Sequence, residues 1–272
     1  GWDSPGFNAT EWHHAQETES PTETIKSQVM HPIRETARYT ATQCKKINDS
    51  CYVYHFPKNI AGVTKLNVKG KKGTILRLKH GELLDKNGRV NMANIDYHYR
   101  PTDDSDPFQT DIVILSGKED SFMPKFNYKG FQFVEISSSA PIELSGENLI
   151  AVEMHSDVPA TGYWSSSSDL LNKIWEATNS SYLANLFGYP TDCPQREKNG
   201  WTGDAHITIE TGLYNFDGIS VYEKWMNDFC DEQKDNGVLP CIIPTSVWGY
   251  DWANGVDWTS AVAIIPWEIY RF

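Results

Sequence analysis

A single change of hydrophobic period near residue 160 divides this 272-residue chain and limits what it can fold into. From about Ala37 to Asp157 the apolar residues come in short alternating runs: CYVYHF, VTKLNVKG, GTILRLKHGELL, TDIVILSG, FQFVEISS and LIAVEMHS. Each run is bounded by Gly, Pro, Asn or Asp, the pattern of short antiparallel strands with one face buried. A β-sandwich is the natural solution for such a segment. The next stretch, GYWSSSSDLLNKIWEATNSSYLANLF, has a different period. Ser168 predicts an N-cap, and Leu171, Ile174, Trp175, Thr178 and Tyr182 recur at steps of three and four, predicting a helix with one buried stripe. A second helix is expected from near Gly203, carrying Ala205, Ile209, Leu213 and Tyr214. A third is expected after Asp217, carrying Val221, Trp225 and Phe229 and closed by the Asn236-Gly237 pair. A last one begins near Trp258 and is interrupted or restarted at Pro266.

The expected organisation is therefore multidomain β + α. Residues 1–36 are a polar linker or the tail of a preceding β-domain, 37–160 a β-sandwich domain, and 161–272 a set of helices joined by long aromatic loops. Antiparallel helical hairpins with pocket-lining loops are how an α/α barrel begins. About four helices are too few to close one, so the expectation is a truncated barrel or a smaller helical array.

The net charge of −12, with no long Lys/Arg block, argues against nucleic acid or an anionic membrane as partner. A neutral ligand fits better. No run approaches the roughly 18 apolar residues of a membrane span, and the start GWDSPGFNAT lacks the basic and apolar regions of a signal peptide. The expected chain is thus mature, cut down or cytosolic. Five cysteines are too few for a disulfide scaffold and form no paired C-x-x-C metal site. Cys44 and Cys51 could pair only if they faced each other on adjacent strands; buried or loop thiols are the alternative. Ten Trp and thirteen Tyr exceed what a core of this size needs, and several sit in polar loops.

The loop TDCPQREKNGWTGDA, residues 191–205, concentrates charge beside a tryptophan. Glycoside hydrolysis needs a carboxylic acid to protonate the leaving oxygen and a carboxylate across the sugar to activate water or attack. Asp192, Glu197 and Asp204 could supply such a cluster, in which like-charge repulsion raises an acid's pKa. Pro194 fixes φ within the loop, and Gly200 and Gly203 permit bends on either side of Trp201. Trp201 offers a flat apolar face for a sugar ring, and Arg196 a fork of donors. The plain alternative is a solvated loop in which Asp204 only favours the first turn of a helix and Arg196 neutralises a structural carboxylate. Cys193 as a nucleophile is disfavoured because no His lies near it and Pro194 follows. A metal site on Asp204 and His206 is disfavoured because residues two apart on a helix face different directions.

DCPQREKNGWTGDA resembles the signature of the α-L-rhamnosidases of glycoside hydrolase family 78, typically D-C-P-Q-R-x-E-R or D-C-P-x-R-E-R followed by G-W-x-G-D-A. AGVTKLNVKGKKGTILRLKHGELLDKNGRV, QTDIVILSG and FNYKGFQFVEI resemble the β-sandwich that precedes the family's catalytic domain. VDWTSAVAIIPWEIY resembles its later tryptophan-containing helix, and FNATEWHHA the end of a further N-terminal sandwich. The resemblance implies an antiparallel β-sandwich followed by the N-terminal part of an (α/α)6 barrel, and inverting hydrolysis of terminal non-reducing α-L-rhamnose. It implies that Glu197 is the general acid, that Asp192 and Asp204 hold the sugar hydroxyls, and that Arg196 and Trp201 contact the sugar. Trp258 matches a pocket tryptophan, although Asp257-Trp258-Thr259 departs from the W-G-D-A spelling. Asp257 and Trp252 are further substrate-binding candidates from the same loop, and Trp248 a weaker one. His206 stands where Gln is frequent.

The family's general base is a glutamate in the second half of the barrel, so it is expected outside this chain, and the 272 residues alone are expected to be inactive. No cofactor and no metal are implied; the partner is a rhamnosylated glycan or glycoside. A periplasmic or secreted location suits glycan breakdown and a cytoplasmic one stays open. The competing readings are a non-catalytic carbohydrate-binding protein, an α/α-barrel hydrolase of another sugar, and a plain scaffold. Within the sandwich, His80 and Glu82 are expected at the surface.

Overall fold

In the computed structural model, residues 2, 4–20, 22, 24–96, 108–245, 249–252 and 255–272 are described. Among these described residues ten strands come first: β1 (Ile33–Thr40), β2 (Gln43–Asn48), β3 (Cys51–Lys69), β4 (Ile75–Gly81), β5 (Leu83–Leu84), β6 (Val90–Asn91), β7 (Thr110–Ile114), β8 (Glu119–Phe122), β9 (Lys129–Ser138) and β10 (Leu149–Ser156). The main sheet is antiparallel with the order β1-β10-β3-β9-β4-β7. The runs CYVYHF and VTKLNVKG, separate in the sequence pattern, form the single 19-residue strand β3. A register shift between His55 and Ile60 bends this strand. Its first half pairs with β2 and β9, and its second half with β10 and β8. Shared in this way, β3 folds the strands around one core that includes Tyr54, Phe56, Leu66, Leu78, Phe131 and Val134.

One expectation about this half is corrected, that of His80 at the surface. His80 is fully buried, because alternation along β4 turns it inward, where Thr64 Oγ1 meets its Nε2 at 3.0 Å and the Gln109 carbonyl its Nδ1 at 3.1 Å. Glu82, just past the strand end, is half-buried and accepts from Asn59 Nδ2 at 2.7 Å. Cys44 and Cys51 are both free thiols: the register sets Cys44 opposite Tyr54 and Cys51 opposite Asn48, so the two never face each other.

After the short helix α1 (Ala93–Asp96), the helical half comprises α2 (Asp169–Ala184), α3 (Thr202–Asn215), α4 (Ile219–Glu232), α5 (Val256–Thr259) and α6 (Ala261–Arg271). Ser168 caps α2 through a bond from Leu171 N, as its sequence predicts. The stripe of α2 does not behave as expected. Leu171 and Ile174 are about half exposed, whereas Tyr182 at the far end of the stripe stacks on Phe216. Helices α3, α4 and α6 do share a core, made of Ile209, Leu213, Tyr222, Trp225, Phe229 and Ile265. Helix α4 ends at Glu232, four residues before the Asn236-Gly237 turn expected to close it, because Gln233 has already turned to an extended backbone. Pro266 lies inside α6 without breaking it. The interruption falls instead at Ser260, which ends α5 and begins α6. As the sixth residue of α6, Pro266 withholds the N–H that would meet the Val262 carbonyl, a local cost that the helix carries through to Arg271.

Candidate active site

The loop 191–200 is folded by its own backbone. Asp192 N donates to Asn199 O at 3.0 Å and Lys198 N to Cys193 O at 3.2 Å, which closes the segment into a compact turn. Lys198 completes it with a left-handed φ of 56°, uncommon for a residue with a side chain. Beyond the turn, Gly200 and the first residue of α3 pair with the segment before the second aromatic loop. Ile243 N donates to Gly200 O at 2.9 Å, and Thr202 N to Cys241 O at 2.9 Å. Thr202 Oγ1 reaches Cys241 O and Trp258 O at 3.1 and 3.0 Å, tying α5 to the start of α3. Gly200 and Gly203 serve close approach here rather than sharp bending: a Cβ would fall 1.9 Å from the Ile243 carbonyl oxygen at the first and 2.9 Å from the Trp258 ring at the second.

These ties bring Asp192, Arg196, Glu197, Trp201, Asp204 and Trp258 around one cleft of about 270 Å³. Six of the eight residues expected in the site therefore line a common space. Trp201 donates its indole N–H to Glu197 Oε2 at 2.8 Å, which fixes the orientation of that carboxyl group. Trp252 and Trp258 each stand edge-on to Trp201, with ring centroids 6.2 Å away. Trp252 is half exposed beyond the cleft lining. The Asp257 side chain is exposed outside that lining, and its carbonyl instead meets His206 Nε2 at 2.6 Å. Trp248 lies outside the described residues.

The carboxylates flanking Glu197 are held in different ways. Asp192 Oδ1 accepts from Asn199 N at 2.9 Å, and Oδ2 accepts from the Cys193 thiol at 2.8 Å. Burial pushes the Asp192 pKa up and the Glu197 charge adds to this, while the Cys193 and Asn199 donors oppose it. Asp204, in the first turn of α3, is also raised, by burial first and then by Glu197. Its place at the helix N-terminus favours the charged form and limits the rise. The Cys193 thiol is raised by burial, so it is a donor here and not a thiolate nucleophile.

Several contributors have no signal in the sequence pattern. Cys193 acts as a hydrogen-bond bridge, since it also accepts from Glu197 N at 3.4 Å. Its place inside the signature was visible, but its role needed the turn. Lys198 reaches Tyr128 of the β half, 70 residues away in sequence, through a 2.6 Å bond to the carbonyl oxygen. Among the described residues, no group of three or more His, Cys, Asp and Glu is placed to hold a metal ion.

Two family models match the chain. The bacterial α-L-rhamnosidase concanavalin-like domain matches residues 45–155, and the bacterial α-L-rhamnosidase 6 hairpin glycosidase domain matches residues 159–272. The chain belongs to the bacterial α-L-rhamnosidase family. An α-L-rhamnosidase of Alteromonas sp. (strain LOR) is 30% identical over 275 residues, covering 99% of this chain and 28% of that relative. A solved α-L-rhamnosidase from Dictyoglumus thermophilum is 32% identical with a TM-score of 0.86, covering 98% of this chain and 29% of that one. The Streptomyces avermitilis α-L-rhamnosidase solved in complex with L-rhamnose is 29% identical with a TM-score of 0.86, covering 99% of this chain and 25% of that one. The chain thus spans between a quarter and a third of these relatives' length. The bacterial α-L-rhamnosidase fold accounts for both halves: a sheet-rich antiparallel domain, then the first helices of a six-hairpin glycosidase domain.

Proposed function

We propose that the protein to which these residues belong is an inverting glycoside hydrolase that releases terminal non-reducing α-L-rhamnose from glycans or glycosides. The observation that carries this reading is the cleft in which Glu197 lies between Asp192 and Asp204, its carboxyl oriented by the Trp201 N–H. In this reading Glu197 protonates the leaving oxygen. Asp192, raised by burial and fixed by two donors, accepts from sugar hydroxyls, as does Asp204. Arg196 donates to the sugar, and Trp201 and Trp258 bound its apolar face.

An inverting site keeps its two carboxyl groups about 6.5 to 9.5 Å apart to admit a water. Asp192 is bonded within the same turn as Glu197, so we assign the general base to a residue outside 1–272 and expect these residues alone to turn over no substrate. We also infer that the sheet-rich and helical domains divide at residue 160, in the connection from β10 to α2. A carbohydrate-binding protein without catalysis is the second reading, since the same cleft would grip sugar. The test is release of rhamnose from an alkyl α-L-rhamnoside, whose leaving group needs a proton, by the full-length protein and its Glu197→Gln variant. A general acid contributes roughly 10²- to 10⁴-fold, so loss on that order is expected. Equal activity in the variant removes Glu197 from the acid role, and a full-length protein that binds rhamnose without hydrolysis supports the second reading.

A further inference from the structure

Glu197 sits in a loop whose next residue leaves the helical half altogether. The Lys198 ammonium donates to Tyr128 O at 2.6 Å and to Asn127 Oδ1 at 3.4 Å, both in the segment leading into β9. It also lies 4.6 Å from the centroid of the Tyr128 ring and 5.5 Å from that of Phe108. Tyr128 is in turn held by stacking on Phe187, with centroids 3.7 Å apart and planes within 7°. The backbone of Lys198 is fixed from the other side, where Tyr189 Oη donates to its carbonyl at 3.4 Å and its own N–H reaches Cys193 O. At the neighbouring contact Gly130 of β9 lies so close to the loop that a Cβ would come within 2.9 Å of Pro194 and Gln195.

Lys198 carries two unfavourable features at once, a left-handed backbone and a half-buried ammonium. Burial, reinforced by the charge of Lys129, depresses its pKa to about 8. Such features persist where the surrounding structure over-determines them, and they cluster at functional sites. Because Lys198 follows Glu197 directly, its anchorage fixes where the Glu197 main chain ends and hence where the carboxyl can point.

We propose that Lys198 is a positioning residue for the proton donor: it fastens the Glu197 loop to the β-sheet domain, so that this domain sets the aim of the acid. The proposal rests on Glu197 being the general acid. A displaced acid matters most when the leaving group needs its proton and little when the leaving group departs as a stable anion. The readout is therefore the activity of full-length variants on two rhamnosides that share the sugar, an alkyl rhamnoside and 2,4-dinitrophenyl α-L-rhamnoside.

For Lys198→Met, kcat on the alkyl rhamnoside should fall on the order of ten- to a hundredfold, part of what a general acid supplies, while the dinitrophenyl substrate loses roughly threefold or less. KM should stay within about threefold on both, because the sugar contacts are untouched. Lys198→Arg, which keeps a cation on the Tyr128 carbonyl, should restore most of the alkyl-substrate rate. Lys198→Gly removes the anchor while relieving the left-handed backbone, and covers the case in which the Met variant does not fold. Equal loss on both substrates, no loss on either, or unfolding of both the Met and the Gly variants would overturn the proposal. Glu197→Gln is run beside them. If it fails to discriminate between the two leaving groups, the acid assignment fails, separately from the outcome at Lys198.

Discussion

Phe131 in β9 and Ile174 in α2 are both large apolar residues on regular elements, yet Phe131 is fully buried and Ile174 is 52% exposed. The contrast holds for their surroundings. The sheet half closes a core of its own around β3, whereas Leu170 and Leu171 on α2, Ile207 on α3 and Trp267 and Tyr270 on α6 remain exposed among the described residues. This is the pattern expected of the first hairpins of a domain described by six. Within these residues the sheet holds a closed core, and the segment joining α2 to α3 supplies most of the cleft lining. The clamps at Lys198 and Gly130 join the two.

The sharpest way to break this comparison is a pair of truncations in residues 1–272. Phe131→Ala should cost about 3 to 5 kcal/mol of unfolding free energy and Ile174→Ala about 0.5 kcal/mol or less, both read by denaturant titration. Equal costs would mean that α2 is packed as firmly as the sheet.

A second test concerns His80, which burial above all, and then the Lys129 charge, holds at a pKa of about 4 against the nearby Asp111. Between pH 6.5 and about 4 the unfolded chain takes up a proton that the folded chain refuses. The stability gained by keeping His80 neutral is thus complete above pH 6.5 and is lost as the pH falls towards 4, roughly 3 kcal/mol in all. His80→Gln should flatten the pH dependence of unfolding over that window. An unchanged slope would place the acid sensitivity elsewhere.

The smallest expected effect is in the cleft. The folded state favours the neutral form of Asp204, so its contribution to stability is greatest at low pH and is lost as the pH rises through its raised pKa. Asp204→Asn should therefore leave the fold as stable as wild type or slightly more so at pH 7, with the difference vanishing below about pH 3, where the carboxyl is protonated in both states. A clear loss of melting temperature at pH 7 would show that Asp204 serves the fold, through the α3 N-terminus, more than the site.

Local pattern made much of this legible. The change of period separated the strands from the helices, Ser168 announced the start of α2, and the spacing within DCPQREKNGWTGDA marked Asp192, Glu197, Trp201 and Asp204, residues close enough in sequence for a short turn to gather. Failures came where local and distant forces competed. Alternation cannot say which face of β4 meets the core, so His80 was expected outside. Helical period cannot say whether a partner covers a stripe, so α2 was expected buried. The Asn236-Gly237 turn is real, but it forms four residues after α4 has ended.

The sequence by itself determined that Asp192, Glu197 and Asp204, the candidates for acid–base chemistry, lie within one short segment, because motif spacing and hydrophobic period are properties of neighbours along the chain. Only the tertiary structure decided how that loop is held. The Tyr128 carbonyl under Lys198 lies 70 residues away in sequence, and the Trp258 carbonyl that meets Thr202 Oγ1 lies 56 residues away. Such distances are fixed by the packing of the whole chain and not by the preferences of any one segment.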